Sequence, residues 1–247
     1  MEYIFSIGGE YLSFRFVNKD KNFLKNLKNY YNKFICKIPS RVIPKQNFYS
    51  QQNNIYSFDS FLRIFYSRYL CEYKKGFLIH AAGIGYNNFS YIFSGESESG
   101  KSTLMKIFMK DRTNKLYYLS DEIILIKKHK DNNFYSYSTP FWGGLKKPQN
   151  VENLSFYVSK IFFINKSSEN YIEEINFDET IRLILKNIIF FHPADNYSNK
   201  ETNFVGLFWN NKVSVNKLLE ITQEFCMKVK CYKLFFNKSF KFNLIKL

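Results

Sequence analysis

The sequence predicts an α/β fold built on a mixed β-sheet, and three observations carry this prediction. Short apolar segments typical of strands alternate with segments whose apolar residues have helical spacing. A glycine-bounded loop at residues 95–102 lies between one such strand and one such helix. The chain has 247 residues, of which 45% are hydrophobic and 23% charged, a composition typical of a globular protein.

Residues 1–74 predict a small α+β region, which we separate from residues 75–247. Gly8-Gly9 lies between two segments that alternate apolar and polar residues, as in a β-hairpin. A later helix would have Ser57 or Asp59 as its N-cap. The predicted elements are strands at 3–7 and 10–16, a helix at 22–36, a loop with an edge strand at 39–54, and a helix at 57–73.

Residues 75–247 predict the larger part of the fold. Two apolar runs flank Asn87-Asn88, and a two-residue turn there would place His80 opposite Gly95. A histidine in an apolar strand is often only a core residue, but this register favours a functional role beside the loop. The predicted elements are strands at 77–84, 89–94, 116–119, 123–126, 134–139, 156–164 and 231–236, and helices at 102–109, 177–189 and 215–227.

Residues 95–102 match the pattern G-x-x-x-x-G-K-[ST] of phosphate-binding loops. Glycines allow a tight loop whose N–H groups face phosphate oxygens, and the following helix presents its positive end to the same anion. Lys101 would reach the β- and γ-phosphates, and the Ser102 hydroxyl would bind Mg²⁺. The carboxylates of Glu96 and Glu98 would have to point away, because like charges repel. The predicted nucleotide-binding residues are Gly95, Glu96, Ser97, Glu98, Ser99, Gly100, Lys101, Ser102 and Thr103.

An apolar segment at 116–119 leads into Ser120 and the acid pair Asp121-Glu122. An acid after an apolar strand is the usual second part of a phosphate-transfer site. One carboxylate can hold Mg²⁺ through water, and a second can accept a proton from an attacking hydroxyl. The alternative is a solvated acidic turn at the end of a strand.

Residues 76–144 resemble HPr kinase/phosphorylase in the order of their elements. These elements are a histidine-bearing strand, a hairpin, the GxxxxGKS loop and a strand followed by two acids. The wider group includes nucleotide-dependent phosphoenolpyruvate carboxykinases. The family's acid pair is usually Asp-Asp, and its Glu-Val-Arg-Gly signature is absent here. These departures point away from HPr as the substrate and toward shorter HPr-kinase-like proteins, some of which resemble kinases that tailor ribosomally made peptides.

The resemblance implies a P-loop kinase core that binds ATP, with Asp121 accepting the proton of the substrate hydroxyl. It implies Asp121, His80 and Lys101 as catalytic residues and Ser102, Asp121 and Glu122 as ligands of Mg²⁺. We therefore expect transfer of the γ-phosphoryl group to a Ser or Thr hydroxyl of a peptide or protein.

Residues Phe141, Trp142, Gly143 and Lys146 follow the next predicted strand and are candidates for gripping the acceptor. The alternative for the two aromatic residues is that they cap the core. Two other functions stay open: the same chemistry on a sugar or amino acid, and a non-catalytic ATP-binding module that uses its basic surface on nucleic acid or an acidic partner.

The chain carries 36 Lys and Arg against 21 Asp and Glu, a formal net charge of +15. Only 6 of the 36 basic residues are Arg, the residue that best reads bases and grips phosphates, so nucleic acid is not the favoured partner. We expect no membrane partner and a cytoplasmic location, because no apolar stretch of about 18 residues and no secretion signal are present. The four cysteines are too few for a disulfide scaffold. The sequence leaves open whether the protein forms a homo-oligomer.

Overall fold

The computed structural model describes residues 2–16, 20–36, 45–48, 55–143, 153–189 and 212–246. These residues form a mixed α/β fold, as the sequence predicts, with two β-sheets and five α-helices. The helices are α1 (Lys21–Tyr31), α2 (Ile55–Glu72), α3 (Lys101–Lys110), α4 (Phe177–Asn187) and α5 (Lys212–Lys228), with a 3₁₀ helix at Phe242–Leu244. The strands are β1 (Glu2–Ile7), β2 (Glu10–Phe16), β3 (Ile35–Cys36), β4 (Lys45–Phe48), β5 (Gly76–Tyr86), β6 (Phe89–Ser94), β7 (Tyr117–Ser120), β8 (Ile123–Lys128), β9 (Phe134–Tyr137), β10 (Ser155–Lys166), β11 (Tyr171–Glu174) and β12 (Lys230–Phe236).

The N-terminal region contains the smaller sheet, in the order β3-β1-β2-β4, with α1 and α2 packed against it. The predicted hairpin is confirmed: β1 and β2 pair antiparallel around Gly8-Gly9, whose φ angles of 60° and 72° suit glycine. The rings of Phe5, Phe14 and Phe58 lie with their centroids 5.3, 5.5 and 5.7 Å apart. This aromatic cluster holds α2 against the sheet.

Two predictions for this region are wrong. The first helix ends at Tyr31 rather than at residue 36, because Ile35 and Cys36 form β3 and pair with β1. Ser57 and Asp59 are not N-caps, since α2 already begins at Ile55. Tertiary contacts override the local helical pattern in the first case, and a buried ion pair uses Asp59 in the second.

The larger sheet has the order β11-β12-β10-β6-β5-β8-β9, with β7 also paired to β5. Strand β10 runs parallel to both β6 and β12, and the other pairs are antiparallel. Strand β11 was not predicted from the sequence. All four of its residues are exposed, so it lacks the apolar alternation that marks a half-buried strand.

Strand β5 has the predicted partner and register. The turn residues Asn87 and Asn88 have φ angles of 46° and 69°, and the ladder with β6 runs from Tyr86–Phe89 to Ala81–Ser94. On its other side β5 pairs first with β8 and then with β7. Strands β7 and β8 therefore lie end to end along β5, and Asp121-Glu122 occupies the break between them.

Helices cover both faces of the larger sheet. Helix α3 packs on one face, and α4 and α5 pack on the other. The N-terminal core continues onto the larger sheet through Leu78 of β5, on the same face as Ala82, which packs in the α3 core. His80 lies between these two residues on β5 and so faces the space between the N-terminal region and α3. Among the described residues, no helix is both long and apolar enough to cross a membrane.

Phe93 provides a test of the α3 interface. It is fully buried on β6, and its ring lies 5.2 Å from that of Phe108 and 5.7 Å from that of Phe162. We expect Phe93→Ala to lower the free energy of unfolding by about 3–5 kcal/mol in urea denaturation. The control Phe89→Ala removes a ring on the same strand that is 44% exposed, and should cost no more than about 1 kcal/mol. Equal losses for the two variants would contradict this packing.

Candidate functional site

A cleft of ≈ 510 Å³ lies where β5, the loop after β6 and the break between β7 and β8 meet. The cleft brings together residues that are far apart in the sequence. It is lined by His80, Ser97, Glu98, Gly100, Lys101, Ser102, Thr103, Asp121, Glu122, Gly143 and Lys166. Every residue in this set except Lys166 was predicted from the sequence.

The loop at 95–102 has the backbone geometry of an anion-binding loop. Glu98 and Gly100 have φ angles of 66° and 106°, the left-handed conformation that turns neighbouring N–H groups to one side. A Cβ atom on Gly100 would lie 2.7 Å from the Phe236 ring, and one on Gly95 would lie 2.6 Å from the hydroxyl oxygen of Ser99. Both glycines are therefore required for the loop to pack as it does.

Two features of the loop fit a phosphate group. Helix α3 begins at Lys101, and its N-cap residue is Gly100. Gly100 has no side chain that could accept hydrogen bonds from the first backbone N–H groups of the helix, so these groups can bind an anion. The hydroxyl of Ser99 is buried and has no hydrogen-bond partner within the described part of the chain. An anion in the loop would supply acceptors for such groups.

The side chain of Lys101 lies folded across the loop. Its ammonium group donates to the carbonyl oxygens of Gly95 at 2.6 Å and Glu96 at 2.9 Å, and the residue is only 8% exposed. Burial lowers the pKa of Lys101, and the negative charge of Glu122 opposes this effect. Since its two acceptors are neutral, an anionic phosphate oxygen would be the stronger partner.

The acid pair is anchored by the break between β7 and β8. The Ser120 hydroxyl donates to the carbonyl oxygen of Phe141 at 2.5 Å and accepts from the N–H groups of Glu122 and Ile123. The N–H of Ala81 donates to the carbonyl oxygen of Glu122 at 2.9 Å, which fixes the break beside His80. These bonds hold the acid pair at the floor of the cleft.

Asp121 is 4% exposed, and one of its carboxylate oxygens accepts a hydrogen bond from the N–H of Gly143 at 2.8 Å. Its position differs from the solvated acidic turn that the sequence left open as an alternative. A buried carboxylate that still lines a cleft can accept a proton from, or bind a cation in, that cleft.

Glu122 contacts a residue that could not be predicted from the sequence. Both of its carboxylate oxygens accept hydrogen bonds from the guanidinium group of Arg63 on α2, each at 3.1 Å. The sequence predicts Glu122 as a ligand of Mg²⁺, and in the structure its carboxylate is paired with Arg63. Within the described ranges, no group of three or more His, Cys, Asp and Glu side chains is arranged to hold a metal ion.

The two loop glutamates behave differently. Glu96 forms an ion pair with Lys186 on α4, which turns its carboxylate away from the cleft as predicted. This hydrogen bond lowers the pKa of Glu96. Glu98 is one of the residues that line the cleft.

The predicted acceptor-binding residues divide into three groups. Phe141 is fully buried and Trp142 nearly so, and both pack in the core of the N-terminal region. Phe141 therefore caps the core, which is the alternative that the sequence left open, whereas Trp142 also lines a second cavity beside α1 and α2. Gly143 lines the cleft, and Lys146 lies outside the described residues.

Lys166 is a cleft residue that was not predicted. It is exposed at the end of β10, which runs parallel to β6, so its position lies beside the loop that follows β6. Carboxyl ends of parallel strands meet at the same edge of a sheet. The sequence shows neither that these strands are neighbours nor that they are parallel, so it does not predict that Lys166 lies in the cleft.

In comparisons with known proteins, no family model and no curated protein matches this chain. The cleft combines a loop whose N–H groups could hold an anion, the ammonium groups of Lys101 and Lys166, a buried carboxylate and an imidazole. This arrangement suits binding of a phosphorylated ligand next to a group that can accept a proton.

Replacing Gly100 tests the loop. We expect Gly100→Ala to weaken binding of Mg²⁺–ATP at least about tenfold in calorimetric titration, since its Cβ would meet Phe236 and its φ of 106° is costly for alanine. The control is Gly9→Ala, which also has a positive φ, of 72°, but whose Cβ would make only an ordinary contact, with Nζ of Lys127 at 3.9 Å. It should lose stability without losing ATP affinity. A Gly100→Ala variant that binds ATP normally would show that the loop is not the phosphate site.

Replacing Lys166 tests the electrostatics of the cleft. We expect Lys166→Ala to weaken ATP binding about two- to fivefold, because exposed ion pairs contribute up to ~1 kcal/mol. The loss should shrink as salt is raised, since exposed charges are screened. Lys106→Ala, an exposed lysine of α3 outside the cleft, is the control and should change nothing. A loss that is the same in both variants would remove Lys166 from the site.

Proposed function

We propose that this protein is a kinase that transfers the γ-phosphoryl group of ATP to a Ser or Thr hydroxyl of a peptide or protein. Its core would be a P-loop kinase core of the HPr kinase/phosphoenolpyruvate carboxykinase type. The observation that carries the proposal is that one cleft contains both the loop at 95–102 and Asp121. A nucleotide held on the loop would place its terminal phosphate near a carboxylate.

The loop residues would hold the triphosphate of ATP. The N–H groups of residues 95–102 and the start of α3 bind the phosphate oxygens, and Lys101 exchanges its carbonyl partners for them. Lys166 adds a second positive charge beside the loop. Ser102 and Asp121 would hold Mg²⁺, which neutralises phosphate charge when it is bound.

Asp121 would act as the base. As the acceptor oxygen forms its bond to the γ-phosphorus, the bond to the bridging oxygen breaks and ADP leaves. The hydroxyl proton passes to the carboxylate of Asp121, whose orientation is held by the N–H of Gly143. His80 faces the same cleft from β5 and would orient a phosphate oxygen or a carboxylate.

A large acceptor can approach this site. Ser97, Glu98, Ser102 and Gly143 line the cleft and are exposed to solvent, so the cleft opens at the protein surface. This openness and the resemblance of the sequence to peptide-tailoring kinases support a peptide or protein acceptor.

A labelling experiment tests the proposal. The protein is incubated with ATP labelled at the γ-phosphate, together with a library of Ser- and Thr-containing peptides or with a set of sugars and amino acids. We expect label on peptides. Label on a small metabolite would favour the small-molecule kinase, and ATP binding with no transfer to any acceptor would favour a non-catalytic module.

Asp121→Asn separates binding from transfer. The amide cannot accept the proton, so we expect phosphoryl transfer to fall by about 10²–10⁴-fold. The affinity for ATP measured without Mg²⁺ should change little, because Asp121 is proposed to hold the metal ion and not the nucleotide. The rates are measured with the acceptor found by labelling, and the affinities by titration. Asp178→Asn, an exposed acid on α4 outside the cleft, should leave both unchanged. If the Asp121 variant keeps its transfer rate, another group is the base.

A further inference from the structure

A chain of polar contacts joins the N-terminal region to the candidate site. The Tyr31 hydroxyl on α1 donates to one carboxylate oxygen of Asp59 at 2.6 Å. The other carboxylate oxygen of Asp59 accepts from Nε of Arg63 at 2.6 Å. The two terminal nitrogens of Arg63 donate to Glu122, so the guanidinium group bridges one carboxylate of α2 and one of the cleft.

The members of this chain are mostly buried, and Asp59 and Arg63 also line a second cavity beside α1 and α2. The side chains of Arg63 and Asp59 are only 14% and 12% exposed, and that of Glu122 is 27% exposed. The guanidinium carbon of Arg63 lies 5.1 Å from the centroid of the Phe141 ring, which covers one side of it. Ion pairs in such surroundings are screened little by salt, and loss of one member leaves the other charge uncompensated.

Arg63 forms a bidentate contact with Glu122. A guanidinium group that donates two parallel hydrogen bonds to one carboxylate fixes both its position and its orientation. A lysine could supply the charge but not the two-pronged contact. Burial raises the pKa of Asp59, and the positive charge of Arg63 opposes this rise.

We propose that Arg63 is a positioning residue of the active site, which holds Glu122 in place and compensates its charge beside the bound triphosphate. This inference rests on the proposed function, because it assigns Arg63 a part in binding Mg²⁺–ATP. It also gives the N-terminal region a role, because helix α2 supplies the guanidinium group that contacts Glu122.

Removal of Arg63 should have two opposite effects on ligands. Without the guanidinium group, Glu122 carries an uncompensated charge close to the phosphates. We expect Arg63→Met to weaken ATP binding about tenfold and to tighten binding of Mn²⁺ alone about fivefold or more, because the released carboxylate repels phosphate and attracts a cation. A merely structural role would not tighten metal binding.

The double variant Arg63→Met/Glu122→Gln provides the decisive comparison. If Arg63 acts by compensating Glu122, removal of the carboxylate should restore ATP affinity to within about threefold of the original and abolish the gain in Mn²⁺ affinity. Arg63→Lys should fall between the original protein and Arg63→Met. The control is Arg68→Met on the same helix, whose exposed pair with Glu72 lies outside the cleft, and it should affect neither ligand.

The measurements are titrations with ATP and, by electron paramagnetic resonance, with Mn²⁺, and circular dichroism confirms folding. If Arg63→Met does not fold, the same cycle is run with Arg63→Lys. Independent, additive effects of the Arg63 and Glu122 substitutions on both ligands would overturn the inference. Failure of the proposed function would give a different result. In that case the original protein would bind ATP but transfer no phosphate, and the coupling between Arg63 and Glu122 could still be measured.

Discussion

The positions of His80, the loop at 95–102 and the acid pair depend on the backbone pairing of strand β5. On one edge its ladder with β6 ends at Ala81–Ser94, so the loop at 95–102 begins beside His80. On the other edge β8 pairs as far as His80, and the N–H of Ala81 holds the carbonyl of Glu122. Because a one-residue slip would turn every side chain of β5 to the opposite face, this register places the imidazole, the loop and the acid pair in the same space.

The proposed function also requires charges of opposite sign close together in the cleft. A triphosphate needs positive charge around it, yet the proposed base requires a carboxylate at the same place. In the proposed kinase, the start of α3 and two lysines would supply the positive charge on one side of the cleft, and the buried Asp121 would supply the carboxylate on the other. Glu122 adds a second negative charge, and its contact with Arg63 is the way the fold offsets that charge. The net charge of the whole chain is a poor guide here, since the balance is set by a few buried groups.

Much of this site could be predicted because its signals are local. The loop pattern, the Asn-Asn turn and the acid pair each occupy a few consecutive residues, and turn length then determines the register of the hairpin. Arg63 could not be predicted, since it lies on a helix that meets Glu122 only after the N-terminal region packs on the larger sheet. Lys166 depends in the same way on two parallel strands becoming neighbours. The sequence left open whether Phe141 binds an acceptor or caps the core, because an aromatic residue beside a glycine pair looks the same in sequence in both cases, and the structure places it in the core.

The most direct test is a crystal structure of the protein with Mg²⁺ and an ATP analogue that cannot be hydrolysed. The account predicts that the triphosphate lies against the N–H groups of residues 95–102, with the γ-phosphate on the side of the cleft where Asp121 lies. A nucleotide bound elsewhere on the protein, or one whose γ-phosphate points away from Asp121, would contradict it.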